Sequence, residues 1–240
     1  NNSEESIVAN ITVTPTFTNG DSSNQGNSID FSITVNPTAQ VNNVINIVVS
    51  NGTLVGAVEF TTTNSGGTTT YQWTNDNTSI GLIDSGNEII PEFTAVNNGD
   101  SPNTATIEVI PIYEENGITC SGDSISFTIT VNPDAQVNEI DDLVYNDGDL
   151  VQIPFTSSNS GGETTYEWTS TDISTGMEGS GSGNIEFTAT NTGTSPIVTT
   201  VTVTPTFTNE NNSNVGSTET FTITVNPVPQ VESIQNIIIC

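Results

Sequence analysis

Phe221-Thr222-Ile223-Thr224-Val225-Asn226-Pro227 alternates apolar and polar residues and stops at a proline, and the same pattern stands at Phe127 to Pro133 and Phe31 to Pro37. Period-two alternation of β-branched and aromatic residues marks a strand buried on one face. Phe221, Ile223 and Val225 face inward in this reading, as do Phe127, Ile129 and Val131, and Phe31, Ile33 and Val35. The three prolines lie 96 and 94 residues apart, so the chain consists of repeats.

Working upstream, Val13, Pro15 and Phe17 alternate with Thr12, Thr14, Thr16 and Thr18, and the octapeptide Thr12 to Asn19 is repeated letter for letter at Thr202 to Asn209. Turn signals at Asn19-Gly20 and Glu115-Asn116-Gly117 join this strand to the Phe strand as a hairpin. Tyr71-Gln72-Trp73-Thr74 returns as Tyr166-Glu167-Trp168-Thr169, and Asn64 to Gly67 as Asn159 to Gly162. Further strands are expected at Val58 to Thr63, Thr69 to Asn75 and Glu92 to Asn97, each bounded by Gly, Asn, Asp or Ser. No stretch carries apolar residues at helical spacing.

About seven strands per repeat is the arithmetic of an immunoglobulin-like sandwich. The expected fold is all-β, with tandem immunoglobulin-like β-sandwich domains of about 95 residues. Residues 1–41 form the C-terminal part of one repeat, 42–137 and 138–231 are complete repeats, and 232–240 begin another. Pro37 to Val41 and Pro133 to Val137 pass into the next repeat with no Gly-Ser linker, which argues for a semi-rigid rod. Expected core residues are Tyr71, Trp73, Phe93, Phe127, Tyr166, Trp168, Phe187 and Phe221. The Tyr-x-Trp pairs have a second reading, because exposed aromatic pairs also stack on sugars.

Composition excludes several functions. The chain has 28 Asp plus Glu and no Lys, Arg or His, for a formal charge of -28. It cannot neutralise phosphates, so nucleic acid is no partner, and it has no polybasic contact for an anionic membrane. No apolar run is long enough for a membrane-spanning helix, and no basic segment followed by an apolar core forms a signal. The first residues, Asn1-Asn2, suggest a piece of a longer, processed protein.

Tyr71 to Asn75, Ser79 to Leu82, Phe93 to Ala95, Thr202 to Thr206 and Phe221 to Pro227, in that order and spacing, resemble the PKD-like repeats of giant cell-surface adhesins of gliding bacteria. The resemblance spans essentially the whole chain. It implies a secreted filament of many β-sandwich domains on the bacterial cell surface, exported by the type IX system and moved to pull the cell along. In such repeats the positions of Cys120 and Cys240 often both hold Cys, which implies an intra-domain disulfide and an oxidising exterior. Here Cys120 meets Ser50 and is unpaired, and Cys240 would pair with a Cys beyond residue 240. Asp123-Ser124-Ile125 resembles the Asp-Ser-aliphatic sites at which such bacteria attach O-glycans.

The repeats also test catalysis. Without His or Lys, acid-base chemistry falls to carboxylates, yet Glu167 matches Gln72, Glu163 matches Thr68, Asp172 matches Asn77 and Asp147 matches Asn51. Only Glu92 and Glu186 correspond, and one carboxylate per repeat cannot be both acid and base. No enzyme activity is expected, and no cofactor beyond calcium. Calcium takes oxygen ligands, and Asp141, Asp142, Asp147 and Asp149 are the candidates. The alternative is a solvated acidic turn, since Ile45, Asn46, Asn51 and Thr53 stand at those positions in the previous repeat.

The sequence therefore reads as a stalk or adhesive segment of a long extracellular filament. Its partners are neighbouring repeats, with polysaccharide or other surfaces met through a distal region and no direct membrane contact. A carbohydrate-binding array of a secreted enzyme and a self-assembling filament subunit are the alternatives. Because no peptide bond follows Lys or Arg, trypsin is expected to leave both native and heat-unfolded chain intact. Gel electrophoresis after digestion checks this, and an internal cut in the unfolded chain contradicts it.

Overall fold

All residues, 1–240, are described by the computed structural model. Alternating Thr, Val, Ile and Phe favour extended backbone with one apolar face, and the regular elements are strands apart from 3₁₀ turns at Thr78–Ile80 and Ile173–Thr175. The strands begin with β1 (Ile7–Val13), β2 (Thr16–Asn19), β3 (Ser22–Gln25) and β4 (Ile29–Val35). Next come β5 (Ile47–Ser50), β6 (Leu54–Val55), β7 (Thr68–Asn75), β8 (Ser85–Asn87), β9 (Phe93–Thr94), β10 (Asn103–Glu115), β11 (Ile118–Ser121) and β12 (Ile125–Asn132). The last set is β13 (Leu143–Asn146), β14 (Leu150–Ile153), β15 (Glu163–Ser170), β16 (Ser180–Ser182), β17 (Ile185–Thr188), β18 (Ile197–Asn209), β19 (Asn212–Val215) and β20 (Glu219–Asn226).

The chain forms two compact units, one of residues 1–47, 54–95 and 104–130, the other of residues 48–53, 96–103 and 131–240. In the second, the larger sheet has the order β13-β20-β18-β15-β16, with β19 folded onto the end of β18. Neighbours are antiparallel except β13, which lies parallel to β20. A smaller sheet, β14 with β17, carries Val151, Ile153 and Ile185 to the core. These pack with Trp168, Val201, Val203, Phe221, Ile223 and Val225 of the larger sheet and with Met177. The two layers make an all-β, immunoglobulin-like sandwich.

β5 to β12 repeat the order, as β5-β12-β10-β7-β8 with β11 on β10 and the separate pair β6-β9. Buried residues of the first unit include Tyr71, Trp73, Phe93, Ile107, Val109, Phe127 and Ile129. Tyr71 meets Phe60 and Tyr166 meets Phe155, each with ring centroids 5.5 Å apart. Phe221 and Trp168 are buried, while Tyr166 and Phe187 are half-buried against the same core.

Four sequence expectations change. Residues 58–63 form only an isolated bridge, Val58 with Ile90, and the strand expected at Glu92 to Asn97 shortens to Phe93–Thr94. The Asn-Gly turns do not lead straight into the Phe strand, because a short strand (β3 or β11) intervenes, as β19 does after the Glu210-Asn211 turn. Val13, Phe17, Phe31, Ile33 and Val35 are exposed, because β1–β4 and β2–β3 are separate two-stranded sheets and residues 1–41 contain no counterpart of β13 to β17 to cover them.

The two indoles differ in one bond. Trp73 Nε1 donates to the Ile89 carbonyl at 3.0 Å, whereas Trp168 Nε1 is buried with no partner. The segment from Gly181 to Phe187 is one residue shorter than that from Gly86 to Phe93, which changes the carbonyls reaching the indole. Trp73→Phe is therefore expected to destabilise its unit by about 1 kcal/mol more than Trp168→Phe does the other. Hydrogen exchange resolved by unit reads the difference, and equal losses would contradict it.

Candidate functional site at the repeat junctions

The Val-Asn-Pro segment that ends β12 is a built junction within the second unit. Pro133 and Ala135 are buried, so the connecting backbone lies inside the structure rather than on it. Asn132 is fully buried. Its Oδ1 accepts from Asn209 Nδ2 at 3.0 Å, and its Nδ2 donates to the Asn212 carbonyl at 3.4 Å and Asn212 Oδ1 at 3.3 Å. Ser50 Oγ donates to the same Asn212 Oδ1 at 2.9 Å. A buried amide needs this many partners, because an unmet donor or acceptor costs about 1–3 kcal/mol.

Asp134 extends the clasp. One of its carboxylate oxygens accepts from Asn51 Nδ2 at 2.9 Å and the other from Asn214 Nδ2 at 3.0 Å. Gln136 Nε2 donates to Asp100 Oδ1 at 3.0 Å, and the Gln136 amide donates to Asn159 Oδ1 at 2.7 Å. Behind Ala135 sits Gly216. A Cβ there would lie 1.8 Å from the Ala135 carbonyl oxygen, so only glycine lets the chain pass.

The first unit contains a related junction. Gly122 takes the same place against the Ala39 carbonyl, again with 1.8 Å to a hypothetical Cβ. Asn36 Nδ2 donates to the Glu115 carbonyl at 3.2 Å. Gln40 N donates to Asn64 Oδ1 at 2.6 Å, matching Gln136 and Asn159. Ser6 Oγ donates to Glu115 Oε2. Tyr113 OH donates to the Ser65 carbonyl at 2.9 Å and to Glu115 at 3.1 Å. Burial, and then the hydrogen bond to Glu115, raise the Tyr113 pKa above its ordinary value, so the phenol stays a donor at neutral pH.

The calcium candidates are engaged otherwise. Asp142 Oδ1 accepts from Thr222 N at 2.7 Å, as Asn46 Oδ1 accepts from Thr128 N at 3.0 Å. Asp147 Oδ1 accepts from Asn191 N at 2.7 Å, as Asn51 Oδ1 accepts from Asn97 N at 2.9 Å. Asp149 Oδ2 accepts from Asn146 N at 2.7 Å, and Asp141 is exposed. No group of three or more acidic, His or Cys side chains is arranged to hold a metal. Each engaged carboxylate does what a neutral amide can do, which explains why Asp and Asn exchange between repeats. Glu92 and Glu186 are both exposed.

Sequence reading missed Asn97 and Asn191. Asn191 Nδ2 donates to the Val225 and Ser195 carbonyls and its Oδ1 accepts from Gly193 N; Asn97 makes the same three bonds to Val131, Ser101 and Gly99. The recurrent Asn-x-Gly at 97–99 and 191–193 was the available signal.

The cysteines require a correction. The positions of Cys240 and Cys120 correspond to Asn146 and Asn214 in the second unit. Asn146 lies opposite Asn226 at one end of the sheet, while Asn214 lies opposite Phe207, beyond the last β18–β20 pair at Val203 and Glu219. About eleven residues of strand, roughly 36 Å, separate the two levels, so an intra-domain disulfide between these positions is geometrically excluded. Both cysteines are free. Trp73 and Trp168 are 1% and 8% exposed and offer no ring face to a sugar. Ser124 is exposed and donates to Glu108 at 2.8 Å.

No known protein family and no curated protein matches this chain. Among solved structures it is similar to the human desmocollin-1 ectodomain, with TM-score 0.40, 11% identity, and coverage of 86% of this chain and 46% of that one. It is also similar to human mucin-like protocadherin EC1-2, with TM-score 0.34, 14% identity, and coverage of 79% and 98%. Mouse cadherin-23 EC22-24 gives TM-score 0.36, 11% identity, and coverage of 91% and 74%. The chain thus spans less than half of the desmocollin-1 chain. No helix is long and apolar enough to cross a membrane.

The caps set a pH dependence. The Thr222 backbone N–H holds the Asp142 carboxyl below its ordinary value of 3.8, and the Ser174 hydroxyl and N–H do the same for Asp172. A depressed folded-state value contributes stability that is present above 3.8 and lost as pH falls through the lower value. Asp172→Asn keeps the cap, as Asn77 does in the other repeat, and is expected to lose less stability over that acid window than the parent chain, the remaining decline including the share of Asp142. At neutral pH, Asp142→Asn, Asp147→Asn and Asp172→Asn each leave the melting temperature within about 2 °C. Calcium at matched ionic strength leaves it unchanged. Thermal melts check all three, and a calcium-specific rise abolished by Asp147→Asn would overturn this account.

Proposed function

We propose that this chain is a stretch of stalk in a long extracellular filament, in which each sandwich serves to connect its neighbours rather than to bind a ligand. One observation carries the reading: the polar network with the most partners lies at the junction, where the connecting backbone is buried and only glycine fits behind it. A connecting segment held this way has its backbone fixed on its own unit, a feature suited to arrays in which each repeat meets only its neighbours.

Other features support the same reading. The absence of basic residues removes trypsin-like cleavage sites, which suits a filament outside the cell. Acids that exchange with amides between repeats supply no acid-base pair, which supports a non-enzymatic role. The resemblance to PKD-like repeats supports the finer assignment: a surface adhesin of a gliding bacterium, exported by the type IX system, whose adhesive contacts with polysaccharide or other surfaces are made at a distal region.

The test is the size of the parent protein taken from the cell surface, by non-reducing electrophoresis with mass spectrometry. The expected result is a polypeptide many times the 25.2 kDa of these residues, built from this period and recovered outside the cell. A parent little larger than 25.2 kDa, or saturable glycan binding by these sandwiches themselves, would overturn the stalk assignment.

A further inference from the structure

The second unit takes its chain in at one end of the larger sheet and lets it out at the other. Asn132 is bonded to Asn209, the last residue of β18. β20 ends at Asn226, beside the opposite end of β18, where Val225 stands across from Ile197. Between entry and β13, residues 133–142 contain neither a turn nor a bend. Leu143 is level with Ile223 and so with Thr199, ten residues of β18 from Asn209, or about 33 Å. The eleven residues from Asn132 to Leu143 can span at most about 36–40 Å. This strap is therefore nearly taut and runs along the strand direction into β13.

Side bonds keep the strap on that line. Asp134 accepts from Asn214, Gln136 N donates to Asn159 Oδ1, and Asn138 N donates to the Thr156 carbonyl at 2.8 Å. Val137 and Ile140 pack against the core. β13 then lies parallel to β20 over four residue pairs, Leu143 to Asn146 with Ile223 to Asn226, and Asp147 N adds a bond to the Asn226 carbonyl at 2.9 Å. β13 has no other strand neighbour, whereas β20 is held on its far side by seven pairs with β18. A pull on the incoming chain draws β13 towards its N-terminal end, and a pull on the outgoing chain draws β20 towards its C-terminal end. Because the strands are parallel, the two pulls slide one along the other. Every inter-strand bond is then loaded at once, whereas a pull across the sheet loads the same bonds one after another from the end.

We propose that the parallel β13–β20 pair is a tension-bearing clamp, loaded in shear through the strap at residues 132–142 when the chain is pulled lengthwise. The taut strap sets the direction of the load, and the side bonds at Asp134, Gln136 and Asn138 keep it from peeling away. In the preceding repeat β5 holds the corresponding place beside β12. The clamp deepens the stalk reading and rests on it for its use in the cell, since a filament segment passes force from one neighbour to the next. The two fail separately: a small parent protein would remove the stalk and leave the clamp measurable, and a failed clamp would leave the size of the parent untouched.

Single-molecule force spectroscopy of the full chain tests the clamp by changing only the direction of pull. In a Cys120→Ser, Cys240→Ser background, Asp141→Cys supplies one thiol handle in both arms. The second handle is Val228→Cys, just past the C-terminal end of β20, or Ser180→Cys on β16, at the opposite edge of the sheet and nearly level with residue 141. All three positions are exposed, so both forms are expected to melt within about 2 °C of each other. Forced unfolding reads the unfolding barrier along the pull. At one loading rate, the lengthwise pull is expected to need at least about twofold more force than the pull across the sheet, and to free residues 141–228 in a single step. Equal forces in the two directions would overturn the proposal. So would a low-force release of β13 in the lengthwise pull that leaves the rest of the unit folded.

Discussion

A chain with 28 carboxylates and no basic side chain has to satisfy its acids with neutral donors. Ion pairing is unavailable to stabilise any buried or half-buried acid, and each unmet carboxylate in low dielectric is costly. The structure meets this constraint in two ways. Most acids stay in solvent, and several, exposed or half-buried, accept backbone N–H groups, Asn and Gln amides or hydroxyls. Asp142, Asp147, Asp149 and Asp172 each accept a backbone N–H, and Asp134 accepts two Asn amides.

The same constraint shapes the junctions. In a chain with basic residues, such a connecting segment could be held by Arg–carboxylate forks. Here the tie is an amide network around Asn132 together with a steric fit between Gly216 and the Ala135 carbonyl. Neutral hydrogen bonds are less sensitive to salt than ion pairs, so the connection holds across ionic strengths. The excess negative charge remains on the surface, where it keeps molecules apart and soluble.

The strand pattern and repeat period were legible because alternation and recurrence are local and additive properties. The fold class, the aromatic core positions Trp73, Trp168, Phe127 and Phe221, and the exchange of acids for amides between repeats all followed from comparing the chain with itself. The junction clasp was not legible. Asn132 is one Asn among many in the sequence, and nothing local distinguishes it from an exposed turn residue; its burial arises from Asn209 and Asn212, about eighty residues away. The implied intra-domain disulfide failed for a related reason. Spacing between two positions says nothing about which end of a sheet each occupies, and only strand register placed them far apart.

One octapeptide separates what each level decides. Thr12 to Asn19 and Thr202 to Asn209 are identical, and both copies are largely strand. By itself the sequence determined extended backbone and a face bearing Val, Pro and Phe, because alternation and β-branching act within a few residues. Only the tertiary structure decided burial: Phe17 is 74% exposed, whereas Phe207 is fully buried. Phe207 has β15 beside it, with Thr164 opposite it, and Gly162 against its ring, and residues 1–41 contain no counterpart of β15 to stand beside β2. Burial is a property of what stands across the sheet, and that is set by strands distant in the chain.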